Sequence, residues 1–363
     1  MGMQIANEVK LSEGVISDIH GLYEKKKKNK KILMIVLGLL PVAAFILSTV
    51  MGRYVISPLP LIDILAGKLL GLPATWPETL ETVLFKVRIP RIFAAMLVGA
   101  ALSAAGAAYQ GLFKNPMVSP DILGASAGAG FGAAVAILMS FNIAGIQLTA
   151  FAFGLGAVML TFVISTVMGR GSNAVLTLIL TGMVVSTLFS SFTSMTKYVA
   201  DPYSKLPAIT FWLMGGLSSI TSKDALILLI PICIGITPLL MLRWKLNVLS
   251  FGEEEAKAMG IDTRRLRFII IICSTLLTAA AVSVSGMIGW IGLIVPHMAR
   301  LVTGPDYRVL LPASMLIGST FLVVVDDVAR SVFAMEIPLG ILTSLLGAPF
   351  FIYLLVKGKR GWV

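Results

Sequence analysis

The sequence predicts an all-α polytopic membrane protein with about ten transmembrane helices. Three observations carry that expectation. Of the 363 residues, 57% are hydrophobic and only 13% charged, more apolar surface than a water-soluble chain of this length can hide. The apolar runs are long and unbroken, without the period-two alternation of a lipid-facing β-barrel, and a spanning helix satisfies its own backbone hydrogen bonds, as lipid demands. Finally, the basic residues that give a net charge of +11 sit in short loops, so they read as topology signals rather than as a nucleic-acid surface.

The spans follow in order. A polar tail, residues 1–31, ends in the basic run Lys25–Lys31 (KKKKNKK), and the ten-helix membrane domain is expected over 32–357. The first span, 32–50, has no A-x-A-like site after it and reads as an uncleaved helix. The second, 91–112, follows KVRIPR and carries a small residue at every fourth position: Gly99, Ser103, Ala107 and Gly111. The third, 122–141, repeats the pattern with Gly124, Gly128 and Gly132. Such ridges let helices approach closely, which places these two spans inside the bundle. Spans four and five are 148–168 and 174–196, and the fifth is rich in hydroxyls: Thr181, Ser186, Thr187, Ser190, Ser191, Thr193 and Ser194. Spans six (224–243) and seven (267–286) bracket the most polar internal loop, 244–266. Gly286, Gly289, Gly292 and Pro296 then interrupt the apolar run, so span eight (288–302) is short; broken helices in membranes line cavities or permit motion. Span nine, 309–329, ends with Asp326 and Asp327, and span ten, 338–356, leads to a short tail, 358–363. An even number of spans returns both termini to one side. Twenty of the 29 Lys and Arg residues fall on that side and nine on the other, so both termini are expected in the cytoplasm of a cell-membrane protein.

Four segments stand out as carriers of function. Ser250–Asp262 (SFGEEEAKAMGID) has the spacing of a capping box in Ser250 and Glu253. Glu253, Glu254 and Glu255 suit the positive end of a helix dipole, and Gly260 suits a left-handed helix end. A helix of about two turns does not stand alone in water, so it packs on its own bundle or docks into a partner. On the other side, Lys86, Arg88 and Arg91 oppose the charge trend; they anchor to lipid headgroups or receive an acidic partner, with Arg330 placed to join them. The Lys114–Gly124 connection (KNPMVSPDILG) is a tight turn or a constriction. Asp326 and Asp327 form a structural ion pair with Arg330, four positions from Asp326, or serve as the coupling site of a proton- or sodium-driven secondary transporter.

Other readings are exclusions. No G-x-x-x-x-G-K-[ST] occurs, so the chain has no phosphate-binding loop of its own. No hydrolytic or metal constellation is present, and two histidines do not ligate several haems. His297 reads as a packing residue, and Cys233 and Cys273 as small apolar ones. The chain is therefore expected not to be an enzyme by itself and to bind no cofactor or metal of its own.

Four stretches resemble the FecCD-type permeases, the membrane subunits of ABC importers for iron–siderophore complexes, haem and vitamin B12: Arg88–Ala129, Ser250–Ile261, Ser285–Arg308 and Pro338–Leu355. The resemblance runs in order through roughly residues 32–357 and implies a type II importer fold. It further implies a second permease subunit (a homodimer), two ATPase subunits carrying Mg-ATP, and one extracytoplasmic substrate-binding protein. By resemblance, Ser250, Phe251, Gly252, Glu253, Glu254, Glu255, Ala256, Ala258, Met259 and Gly260 form the coupling helix that enters the ATPase cleft. Arg88 and Arg91, with Arg330, match outward arginines that pair with acidic residues of the binding protein. Asn115 and Met117, with Gly171, Ser172 and Asn173, match the cytoplasmic gate. The fifth span, through Thr181, Ser186, Ser190 and Ser194, would line the pathway. An iron(III)–siderophore is the expected cargo, with haem, cobalamin or an oxyanion as alternatives.

Overall fold

The computed structural model describes residues 29–358, apart from 53, 55, 72–75, 169–173 and 333–334. Among the described residues every regular element is helical. Helix α1 (Asn29–Val50) starts at the end of the bundle where Lys30 Nζ lies 3.9 Å from Asp306 Oδ2. At the opposite end, α2 (Pro58–Leu70) and α3 (Glu78–Thr82) lie outside the spans, and Val83–Arg88 continues α3 as a π-turn into α4 (Ile89–Leu112). A 3-10 turn (Pro120–Leu123) precedes α5 (Ala125–Leu138), followed by α6 (Ile143–Met168) and α7 (Ala174–Val199). A short α8 (Lys205–Met214) leads to α9 (Ser222–Phe251), α10 (Glu253–Ala258) and α11 (Thr263–Ser285). Helices α12 (Ile291–Thr303), α13 (Tyr307–Ser331) and α14 (Leu339–Gly358) complete the chain. Seven helices among the described residues are long and apolar enough to cross a membrane, and three shorter apolar ones, in α5, α12 and α14, fall where the sequence placed spans three, eight and ten.

Three elements at the far end were not read from the sequence. Helices α2 and α3 and the π-turn gather Ile56, Leu61, Ile64, Leu80 and Leu84 into a small apolar core separate from the main one. Helix α8 packs on α5 through Ile209, Ala134 and Ile137.

The glycine ridges do what their spacing demands. Helix α4 is the hub, in contact with α9, α11, α12 and α13. A methyl group on Gly99 would lie 2.2 Å from the Gly318 carbonyl oxygen of α13, and one on Gly106 would lie 1.8 Å from that of Gly292 of α12. On α5, Gly128 and Gly132 meet the backbone of α6 at Phe153 and Thr149. Lipid supplies no hydrophobic push between helices, so this close approach is itself the source of attraction. Gly106→Ala is therefore expected to force α4 and α12 apart at a cost of about 1–3 kcal/mol, read as a lower unfolding midpoint in detergent. Gly38→Ala, where an added methyl meets nothing within 4 Å, is the matched control and should leave the midpoint unchanged.

The interruption after α11 is also as expected. Gly286 (φ +67°) ends the helix in a conformation L side chains rarely adopt, and a methyl there would lie 2.3 Å from the Trp212 carbonyl oxygen. Two local expectations are corrected. Ser250 does not cap a helix: α9 runs unbroken through Phe251, and the Ser250 hydroxyl donates back to the Asn247 carbonyl at 2.6 Å. The residue at the N-terminal boundary of α10 is Gly252, so the expected loop 244–266 shrinks to a short α10 with its two connections. The physical reason is that nothing between Arg243 and Phe251 breaks a helix, and Asn247 holds that extension against α13. Cys233, expected in an apolar interior, is exposed on the surface of the chain, whereas Cys273 is buried.

Candidate functional site: the two ends of the bundle

At the end that carries α10, the loop is built as a braced lever. Glu253 is its fixed point, accepting from Arg267 Nη2 at 2.8 Å and Thr263 Oγ1 at 3.1 Å, with Lys257 Nζ at 3.3 Å. Burial alone would raise the Glu253 carboxyl, but the Arg267 charge and these donors hold it below the ordinary carboxylate range. Ala256 and Ile261 turn inward, and Gly260 (φ +76°) closes the helix while the Ile261 N–H donates to the Ala256 carbonyl at 3.0 Å. The opposite face is free: Phe251 is 79% exposed and Met259 59%, with Glu254, Glu255 and Ala258 exposed beside them. Behind the lever, Asn247 Nδ2 donates to Asp306 Oδ1 at 2.7 Å and Asn247 Oδ1 accepts from the Tyr307 N–H at 2.7 Å, locking the end of α9 to the start of α13. The sequence reading missed this clamp. Its only signal was a polar residue, Asn247, shortly after the sixth span and an Asp, Asp306, shortly before the ninth.

The KNPM turn lies at the same end. Asn115 Oδ1 accepts from the Met117 N–H at 2.9 Å, the Asn115 N–H donates to the Gln110 carbonyl at 3.2 Å, and both side chains are exposed. Gln110 in turn donates to the Leu293 carbonyl and accepts from Arg300, which also reaches the Tyr307 hydroxyl. The turn is thereby fastened to α4, α12 and α13. Gly171, Ser172 and Asn173 lie outside the described residues.

The hydroxyl-rich α7 presents most of its length to the surface. Ser190 and Ser194 are exposed, Ser186 is half-buried against Gly124, and Thr181 is buried. The inner side of α7 is fixed by Phe189 and Phe192, which stack on Phe131 and hold α7 to α5. On the open side, Thr187, Ser191 and Ser194 donate to the carbonyls four residues back, at 2.9, 2.9 and 3.0 Å. Their protons are spent within the helix, so the wall is polar without offering strong donors.

At the far end, two of the three arginines hold three carboxylates. Arg91 Nε donates to both Asp326 oxygens at 3.0 and 2.9 Å and its Nη2 to Oδ1 at 2.8 Å. Its Nη1 reaches both oxygens of Glu336, at 3.0 and 3.1 Å. Arg330 donates to Asp327 and, through Nη2, to the carbonyl and hydroxyl of Ser48 at 2.8 and 2.7 Å, while the Ser48 hydroxyl donates to Asp327 at 2.6 Å. Arg88 caps the end of α1, donating to the carbonyls of Thr49, Val50 and Tyr54. Arg88, Arg91 and Arg330 are 3%, 6% and 6% exposed, so each guanidinium is committed to internal partners. The expected Arg330–Asp326 pair is present at 3.7 Å but is secondary to Arg330–Asp327. The sequence reading missed Glu336 and Ser48; Glu336 is the one acidic residue between α13 and α14, which was its available signal.

Comparison with known proteins fits this architecture. The molybdate import permease MolB of Haemophilus influenzae is 42% identical across 90% of this chain and 95% of its own length. A probable iron-chelatin transport permease of Helicobacter pylori is 41% identical, over 78% of this chain and 85% of its own. A solved structure described as a metal-chelate type ABC transporter in an inward-facing conformation superposes with a TM-score of 0.80 at 40% identity, covering 90% of this chain and 99% of that one. Both curated relatives are named as permease proteins of transport systems. With the family model matching residues 39–357, which takes in all of the spans but the start of α1, the chain belongs to the FecCD transport family.

Proposed function

We propose that this chain is the membrane subunit of an ATP-driven importer, working as a homodimer with two ATPases and one substrate-binding protein, and moving an iron(III)–siderophore type of metal chelate into the cytoplasm. The observation that carries the proposal is the braced α10 with exposed Phe251 and Met259 at a polar end of the molecule. Two large apolar side chains beyond the membrane, on a segment fixed at Glu253, mark a protein-docking surface. The ATPases bind Mg-ATP; this chain supplies the surface they move.

In this reading ATP binding favours one of two states of the permease pair, and only by differential affinity for them. The lever passes the motion through the Asn247–Asp306 clamp to α9 and α13, and the two subunits rock against each other. The face of α7 carrying Ser190 and Ser194 lines the pathway, with Ser186 at its edge and Thr181 packing behind it. Asn115 and Met117, with Gly171, Ser172 and Asn173, form the cytoplasmic gate. Both termini are cytoplasmic, in agreement with the basic bias of that end. The end of the bundle that carries the buried arginine cluster lies on the outer side of the membrane and receives the binding protein.

The test is reconstitution. Proteoliposomes with the permease, its copurified ATPases and the binding protein should accumulate the ferric chelate only with ATP inside, and the permease alone should not. Accumulation by the purified chain without ATP would overturn the proposal. A second cargo, an oxyanion, is favoured by the 42% identical molybdate permease. Uptake of labelled molybdate but not ferric chelate by the same vesicles would select it.

A further inference from the structure

The cluster at the far end has a property that docking alone does not require: its charges already balance. Three guanidinium groups, Arg88, Arg91 and Arg330, share this end with three carboxylates, Asp326, Asp327 and Glu336; Arg91 and Arg330 hold the carboxylates, and Arg88 donates to backbone carbonyls. The carboxylates are not equivalent. Asp326 and Asp327 sit on the helix α13 and their side chains are 1% and 7% exposed. Glu336 sits in the connection to α14, its side chain is 35% exposed, and it holds only Nη1 of Arg91. It is the one anion of the three that can leave without unwinding a helix.

Glu336 also holds structure in place. It borders a cleft of about 340 Å³ that is shared with Arg91, Gln147, Trp212, Ser285 and Gly286. The segment after it is stitched to the neighbouring helix ends: the Ile337 N–H donates to the Ala329 carbonyl at 3.3 Å and the Leu339 N–H to Gly215 at 2.9 Å. The Gly216 N–H donates to the Ser285 carbonyl at 2.8 Å. The Glu336–Arg91 pair adds to these backbone bonds in holding the entry to α14 beside the ends of α8 and α13.

We propose that Glu336 is a displaceable latch, a carboxylate of the chain's own that occupies Arg91 until an acidic side chain of the substrate-binding protein takes its place. The proposal rests on the importer reading and adds the group that docking must remove. Exchange of anion for anion keeps the charge count of the cluster, whereas removing Glu336 without replacement leaves Arg91 with Asp326 alone and the cluster one positive charge in excess, which is costly. The exchange couples docking to release of the Glu336 side chain, and so to the cleft that it borders. The partner surface that fits is an acidic one presenting a carboxylate at the Arg91 position.

The test uses the complete transporter in lipid nanodiscs and its own binding protein. Glu336→Gln removes the competitor and keeps its shape, so the binding protein should dock roughly fivefold to tenfold more tightly, the range set by a partly exposed ion pair. A spin label on Met335→Cys, in a Cys233→Ser background, reports the latch itself, because Met335 is exposed beside Glu336. The label should be held in the wild type, be freed on adding binding protein, and be free from the outset in Glu336→Gln. Unchanged or weaker docking, or a label that stays held with binding protein bound, overturns the latch even where ATP-driven uptake by the wild type is normal. Absence of ATP-driven uptake in the wild type overturns the importer reading and the latch with it.

Discussion

Asp326→Asn should be among the most destabilising single substitutions in this chain, costing about 3–5 kcal/mol. The Asp326 side chain is 1% exposed and accepts three hydrogen bonds from Arg91, with Arg330 Nε a further 3.7 Å away. Asparagine keeps the shape but removes the charge, leaving Arg91 buried with only the partly exposed Glu336. Unfolding midpoints in detergent, or the yield of monodisperse protein, would show the loss. Replacing both partners with apolar residues, Arg91→Met with Asp326→Leu, should recover much of it, because an apolar pair carries no desolvation cost. The result also separates two mechanisms. An ion-driven carrier using Asp326 as its coupling carboxylate would fold normally with asparagine and lose transport alone. Both aspartates are engaged by arginines at the end of α13, and the family is one of ABC permeases, so instability is the expected outcome.

How much of this was legible beforehand depended on whether a feature is local in sequence. The spans were legible because each is a single apolar run whose length is set by the bilayer. The ridge on α4 was legible because small residues at every fourth position share one face, and the structure places Gly99 against the backbone of α13; Gly106, which meets the backbone of α12, was not part of that reading. Arg91 and Asp326 lie 235 positions apart, and no pattern in either segment says that they meet. Arginines next to a span carry the same sequence signal whether they face solvent or a buried carboxylate. Arg88 ends the π-turn and Arg91 lies in the first turn of α4, and the two part company: one turns to α1 and the other to α13. Ser250 failed as a cap for a related reason. Cap spacing is a statement about where a helix starts, and α9 had not yet ended. The amphipathic pieces α2, α3 and α8 went unread because they are too short to span and their apolar residues pack on one another or on a single neighbour.

Replacing Phe251 and Met259 by Asp should disable transport while leaving the permease folded. The two side chains are 79% and 59% exposed, so the fold loses little by their removal. An anchor at the centre of an interface is worth about 2 kcal/mol or more on truncation, near 30-fold in affinity, and a buried charge at that place costs further. The readouts are the amount of ATPase that copurifies and the ATP-dependent uptake of the reconstituted complex; both should fall at least tenfold while the unfolding midpoint holds. Glu253→Ala should behave in the opposite sense. Glu253 braces the lever through Arg267, Thr263 and Lys257, so its loss should lower the midpoint and loosen coupling, with ATP hydrolysed but less cargo moved per ATP. Glu254 is exposed and takes no part in the brace, so its replacement should affect docking alone. If the Asp substitutions left ATPase recovery unchanged, the exposed face of α10 would not be the coupling surface. The same two measurements therefore separate a lever that is no longer gripped from one that is gripped but no longer rigid.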